Sequence, residues 1–404
     1  MNLILISMRG LGVLGCIAGI SLAGAQENKS ENPTAGTAVG TAERSAARRI
    51  GLMNPDMSLN ALMLYTNSNR GNHIFDSERN GPSLQSADLL FTADVDPYSK
   101  LTAVFGIHQE QATSPAREGE WKIEPEELFV ETLEIPSLTL RAGRFNAAVG
   151  KHNMLHPHAF PFVDAPLINS NLLGEEGLND VGLSAAWLAP LPWYMELTAQ
   201  VLSGRPEADA TETAYFNNGS ANASVHLLHL KNLVDLSDSL TAEMGLSGIK
   251  GSNEFPDGAG ISQIGATSFW GADLTFKWRP VEGGKYRALV WSTEYLNRRI
   301  NRPTAYNQAE GYASWLQYQL TQRWWVQVRS DYLQAWESAV TPEALDMPLF
   351  QRKVSALIGF FPSEFSGVRL QYSQNLDGKP DVDPEKKVYL QFNFSIGSHP
   401  AHAY

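Results

Sequence analysis

The sequence predicts an all-β fold: a single transmembrane antiparallel β-barrel of about sixteen strands, with short periplasmic turns and long extracellular loops. Three observations carry that prediction. Apolar and polar residues alternate with period two in strand after strand, and the charges keep to one face. The connections between these strands are alternately short and long. Beyond the N-terminal segment, no apolar run reaches the roughly 18 residues that a helical span requires.

Residues 1–25 read as a signal peptide. Arg9 precedes the apolar stretch LGVLGCIAGISLAGA, and Ala23, Gly24 and Ala25 supply a small-x-small cleavage pattern before Gln26. Val13, Leu14, Gly15 and Cys16 loosely resemble a lipoprotein box, but the apolar run continues past Cys16, which favours ordinary cleavage. Cleavage removes the only cysteine, so the mature chain is expected to need no disulfide. Residues 26–55 are polar, rich in Ala, Gly and Thr, and without period, as expected of a disordered periplasmic tail. The barrel is assigned to residues 56–404.

Strands are expected to begin near Met57, Leu84, Leu101, Lys122, Leu138, Asp180, Tyr194, Ala223, Leu240, Ser268, Tyr286, Gly311, Trp324, Lys353, Gly367 and Lys387. The last is the clearest: Val388, Leu390, Phe392, Phe394 and Ile396 share one face, and Tyr389, Gln391, Asn393 and Ser395 the other. Val326 and Val328 likewise oppose Gln327 and Arg329, and Leu197 and Val201 oppose Glu196, Thr198 and Gln200. Charged residues mark a wet face, and an apolar face of about nine to eleven residues is what a tilted strand needs to cross a bilayer. VDPYSK, EIPS, APLPW, DLSDS, RPVEGGK, TQR and PSEFS suit tight turns. The long connections fall at 67–83, 112–121, 147–179, 204–222, 251–267, 297–310, 337–351 and 375–386. Aromatic residues are 10% of the chain, and several, among them Tyr98, Trp193, Tyr286 and Trp324, fall near the short turns, where an interfacial girdle belongs.

A barrel this wide has a lumen that wall side chains alone cannot fill. The third and longest long connection, 147–179, has the rank and length to fold inward, and its apolar members, including Met154, Phe160, Phe162, Ile168 and Leu172, need something to pack against. Candidate constriction and lumen residues are Glu127, Glu131, Arg141, Arg144, Asp164, Glu175, Glu196, Arg329, Asp331 and Arg369. Charges of both signs on a lumen wall set a transverse field that filters solutes by charge and size. The same loop carries His152, His156 and His158, a tentative set for Zn²⁺, which favours imidazole and carboxylate ligands in tetrahedral array. The alternative role for these histidines is hydrogen bonding of the loop to itself and to the wall. The tail histidines His399 and His402 form a second, weaker pair. No catalytic motif is recognisable: G-x-S-x-G and H-E-x-x-H are both absent from the sequence, and the chain is not expected to be an enzyme.

AGRFNAAVGKHNMLHPHAFPFVDAPL, GLNDVGLSAAWLAP and the terminal SIGSHPAHAY resemble Gram-negative outer-membrane proteins known as zinc-regulated or TonB-dependent outer-membrane receptors, and more distantly other porin-like barrels. The resemblance implies an outer-membrane barrel with a tie to zinc. A TonB-gated receptor carries a globular plug ahead of its barrel, on the order of a hundred residues, whereas only about thirty low-complexity residues precede the first strand here. A porin-like channel for diffusion or facilitated uptake of small hydrophilic solutes is therefore expected, with a plugless TonB-linked receptor for zinc or metal complexes as the alternative. A structural or hydrolytic outer-membrane barrel is a second alternative. Expected partners are outer-membrane lipid and lipopolysaccharide, the barrel assembly machinery, the solutes or metal ions, and a homotrimeric assembly. The net charge of -12, from 31 basic and 43 acidic residues without a basic block, argues against a nucleic-acid partner.

Overall fold

The structure, a computed structural model, describes residues 55–69, 80–109, 121–174, 177–204, 216, 224–256, 262–301, 306–338, 350–377 and 383–397. The predicted signal peptide, nearly all of the predicted tail, Glu175, His399 and His402 lie outside these residues.

Among the described residues, sixteen strands follow in chain order. They are β1 (Asp56–Ser68), β2 (Gly81–Asp96), β3 (Ser99–Gln109), β4 (Trp121–Thr132), β5 (Leu138–Asn146), β6 (Asn179–Leu188), β7 (Tyr194–Leu202) and β8 (Val225–Ser237). The second half is β9 (Leu240–Pro256), β10 (Ser262–Trp278), β11 (Leu289–Asn301), β12 (Tyr306–Gln319), β13 (Trp324–Ser338), β14 (Phe350–Ser363), β15 (Ser366–Asp377) and β16 (Glu385–Gly397). Each pairs antiparallel with its sequence neighbours, and β16 closes the barrel on β1 from Ser58↔Gly397 to Ser68↔Lys387. Closure gives every strand a partner on both sides, which is what lets strands span a bilayer. Among the described residues no helix is long and apolar enough to cross a membrane.

The alternation read in the sequence is the alternation of the wall. In β16, Val388, Phe392, Phe394 and Ile396 are exposed outward, whereas Tyr389, Gln391 and Ser395 are buried inside. Tyr98, Trp187, Trp193, Tyr286 and Trp324 stand exposed at the short-turn rim, and Tyr65, Trp121, Trp270 and Tyr312 toward the other. Phe361 lies over the bare backbone of Gly359 and Gly367, where any added Cβ would push into its ring.

Three local expectations change. Arg144 does not face the lumen: it pairs with Leu128 and Val181, both exposed apolar residues of the outer wall. It lies three positions from inward-facing Arg141, and an odd separation on a strand reverses the face. The connections expected at 251–267 and 297–310 are largely strand, because β9 and β10 stay in register out to Ser262↔Pro256 and β11 and β12 out to Asn301↔Tyr306. Strand β11 starts at Leu289 rather than near Tyr286. The chain there is still turning, with Gly283 at φ 79° and its carbonyl accepting from the amides of Tyr286 and Arg287.

Candidate functional site: a loop that partitions the lumen

The chain leaves β5 at Asn146 and re-enters the wall at Asn179, and the segment between folds inward. Its neck is stapled by Asn153. The side-chain amide donates to the carbonyls of Ala147 (2.8 Å) and Leu178 (3.0 Å), and its oxygen accepts from the Leu178 amide at 2.7 Å. Short 3₁₀ turns at His152–Met154 and Pro157–Ala159 precede a single α-helix, α1 (Leu167–Leu173), which starts after Pro166 and stops at Gly174. Proline pre-sets the entering φ, and Gly174, at φ 104°, tolerates the exit.

The loop has its own dry interior. Phe162, Val163, Leu167, Ile168, Leu172 and Leu173 are buried in one apolar cluster with Leu296, Ala309, Ala313, Trp315 and Leu333 of β11–β13. Gly311 is where α1 presses closest, since a Cβ there would meet the Ile168 side chain at 2.8 Å. The expected burial of the loop's apolar residues is thus met at these six, whereas Leu155 and Phe160 are half-buried and Met154 stays exposed.

Polar contacts carry the loop around the wall. The Ala148 amide donates to Gln200 of β7 (3.0 Å), the Gly150 amide to Ser247 of β9 (3.0 Å) and the His152 amide to Glu294 of β11 (3.1 Å). Lys151 Nζ sits 3.3 Å from Glu243, which also meets Lys231 and Lys277. On the far side, Asp164 is gripped by Arg329 of β13 (2.9 Å), by Lys353 of β14 and by the Gln371 amide of β15 (2.6 Å). Arg369 donates to the Phe160 carbonyl (2.6 Å) and Gln371 accepts from the Val163 amide (2.8 Å). The circuit ends on β2 and β4, where Asp88 meets His158 at 2.8 Å and Glu126 and Glu127 meet the two ring nitrogens of His156 at 3.0 and 3.1 Å.

Burial fixes the charge of the loop groups. His152 is 3% exposed, stacked on Phe160 with ring centroids 4.2 Å apart, and neither ring nitrogen has a hydrogen-bond partner. Burial, aided by Arg329, holds its imidazole down to about 3. For Lys151, burial outweighs Glu243 and brings the ammonium down to about 8. Asp164 is also buried, yet Arg329 and Lys353 prevail and keep its carboxyl well below the usual range. Burial opposes the charge on His156 too, but Glu126 and Glu127 raise it well above an ordinary histidine.

The predicted lumen set divides accordingly. Glu127, Asp164, Arg329 and Arg369 converge on the loop, and Asp331 lies beneath Arg329 at 2.8 Å. Glu131 and Arg141 pair at 3.1 Å on the inner wall, with Arg141 4.0 Å over the Phe129 ring. Glu196 accepts from Tyr194 (2.7 Å) on β7, away from the loop, and Arg144 faces out. The predicted histidine set is not one cluster. His156 and His158 stack in parallel at 5.9 Å, while His152 packs among Phe160, Phe162, Trp315 and Arg329 and donates no ligand atom to them. Sequence reasoning missed Asp88, Glu126, Glu243 and Lys353. Pro125 was the available signal for Glu126, because proline inside a strand marks a bulge.

An apolar exterior, a polar interior, full closure and an inward third loop define an outer-membrane β-barrel protein of the Gram-negative type. The sequence matches no protein-family model. It is 29% identical over 351 residues to an uncharacterized protein of Aquifex aeolicus, covering 81% of this chain and 71% of that one. Among solved structures, OprB of Pseudomonas putida aligns with TM-score 0.58 at 10% identity, over 88% of this chain and 97% of its own. The anion-selective porin of Comamonas acidovorans aligns with TM-score 0.54 at 10% identity, over 85% and 100%. The trimer form of OmpT from Vibrio cholerae aligns with TM-score 0.51 at 9% identity, over 85% and 99%. At such identities the likeness concerns the fold.

Proposed function

We propose that the protein is a porin-type channel that lets small hydrophilic solutes diffuse past its third loop. The observation that carries this reading is the loop itself, anchored from β7 round through β15 to β2 and β4. It narrows a polar lumen, and among the described residues no separate plug domain precedes the barrel. The groups that anchor the loop differ in sign from side to side: Asp88, Glu126 and Glu127 on β2 and β4 meet its histidines, and Arg329 and Lys353 on β13 and β14 meet Asp164. Charges of both signs on a lumen wall orient dipolar and zwitterionic solutes and slow those of wrong charge or size. The outer wall takes lipid, and a homotrimer accords with the form in which the Vibrio cholerae barrel was solved. Liposome swelling tests the reading: proteoliposomes should admit small sugars and amino acids and exclude large oligosaccharides. Swelling no faster than in protein-free liposomes would overturn it.

A further inference from the structure

We propose that Asp88, Glu126 and His156 bind one divalent cation, which clamps the third loop to β2 and β4. The three residues come from separate places in the chain, yet one ligand atom from each lies within 4.8 Å of the others. Ligands about 2.0–2.2 Å from a tetrahedral ion stand roughly 3.3–3.6 Å apart. His156 Nδ1 and Glu126 Oε2 are already at 3.0 Å. Asp88 is 1% exposed, and its Oδ1 is buried without a hydrogen-bond partner. A buried oxygen left without a partner has a strong need for one, and a cation supplies it.

The site is built rather than accidental. The β3–β4 ladder shifts register between Val104/Phe105, so that Pro125 and Glu127 pair and Glu126 is the extra residue. A bulge puts two successive side chains on one face, which turns both Glu126 and Glu127 inward. Room for the Glu126 carboxylate comes from Gly106, where a Cβ would collide with it. Glu127 then holds His156 Nε2 at 3.1 Å, and His158 Nδ1 holds Asp88 Oδ2 at 2.8 Å. A carboxylate behind a ligating imidazole and a donor behind a ligating carboxylate are the outer partners that orient metal ligands. One imidazole and two carboxylates suit Zn²⁺ and its neighbours better than Mg²⁺ or Ca²⁺, which take oxygen ligands. Glu126 and His156 keep partial exposure, so an ion reaches the site from the lumen. The role is to hold the loop, a separate matter from which solute passes it.

Zn²⁺ titration of the untagged, folded, EDTA-treated barrel tests the assignment, by calorimetry and by metal content after dialysis. One ion per chain is expected. Asp88→Asn, Glu126→Gln and His156→Ala should each weaken binding by at least about tenfold, and Glu127→Gln, a positioning change, by roughly 10- to 100-fold. His399→Ala with His402→Ala should leave it unchanged. Zn²⁺ should also slow amide exchange in residues 154–160 of the wild type but not of Asp88→Asn, which reads the clamp without reference to conduction. Gel mobility before and after heating confirms that each variant is folded. No saturable binding by the folded wild type, or wild-type affinity in all three ligand variants, would overturn the proposal.

Discussion

At the scale of residues, the loop depends on a few buried groups whose charge is set by their neighbours. Asp164 is the counter-ion of Lys353 and shares Arg329 with Asp331, so Asp164→Asn leaves Lys353 without its carboxylate and Arg329 with Asp331 alone. Removing one partner of a buried pair costs about 3–5 kcal/mol, and amide exchange across 160–166 should accelerate accordingly. His152 acts through pH. Its folded pKa of about 3 lies below the unfolded value of 6.5, so acid favours the opened loop as pH falls from 6.5 toward 3. At pH 5 the penalty is about 2 kcal/mol, and protection factors of the loop amides should drop. His152→Phe should flatten that pH dependence, since a phenyl ring stacks on Phe160 and takes up no proton. A slope unchanged in His152→Phe would remove His152 from the account.

Among the elements, β4 and β5 make the narrowest seam. Their pairing runs only from Leu128↔Arg144 to Glu131↔Arg141, and it includes Gly143 at φ 137°, where a Cβ would collide with the Leu128 carbonyl. Gly143→Ala should cost roughly 1–3 kcal/mol, read as an earlier urea midpoint of the barrel in bilayers, while Gly182→Ala tests the same crowding on β6. This seam also shows where the sequence was readable. Alternation made all sixteen strands legible, because one face meets lipid and the other water at every step. It erred at Arg144, where parity of spacing was overlooked, and was silent at Glu126, where a bulge breaks parity. Side-chain partners such as Asp88 with His158 join residues seventy positions apart, and no local pattern encodes that pairing.

For the molecule as a whole, closure supplies the wall, and on the proposed reading the third loop supplies the restriction. The rank and length of 147–179 announced an inward loop. That it would meet β7, β9, β11, β13, β15 and β2 in turn was not legible, because those contacts rest on barrel curvature. The loop is therefore a partition anchored on several sides, and on the proposed reading solutes pass through the part of the lumen it leaves open. Single-channel recording in planar bilayers tests this most directly, comparing the wild type with a chain whose residues 152–173 are replaced by a short Gly/Ser linker. Small ion-conducting steps are expected from the wild type, and steps several-fold larger from the replacement. Equal conductance in the two folded proteins, or no current from the wild type, would contradict the account.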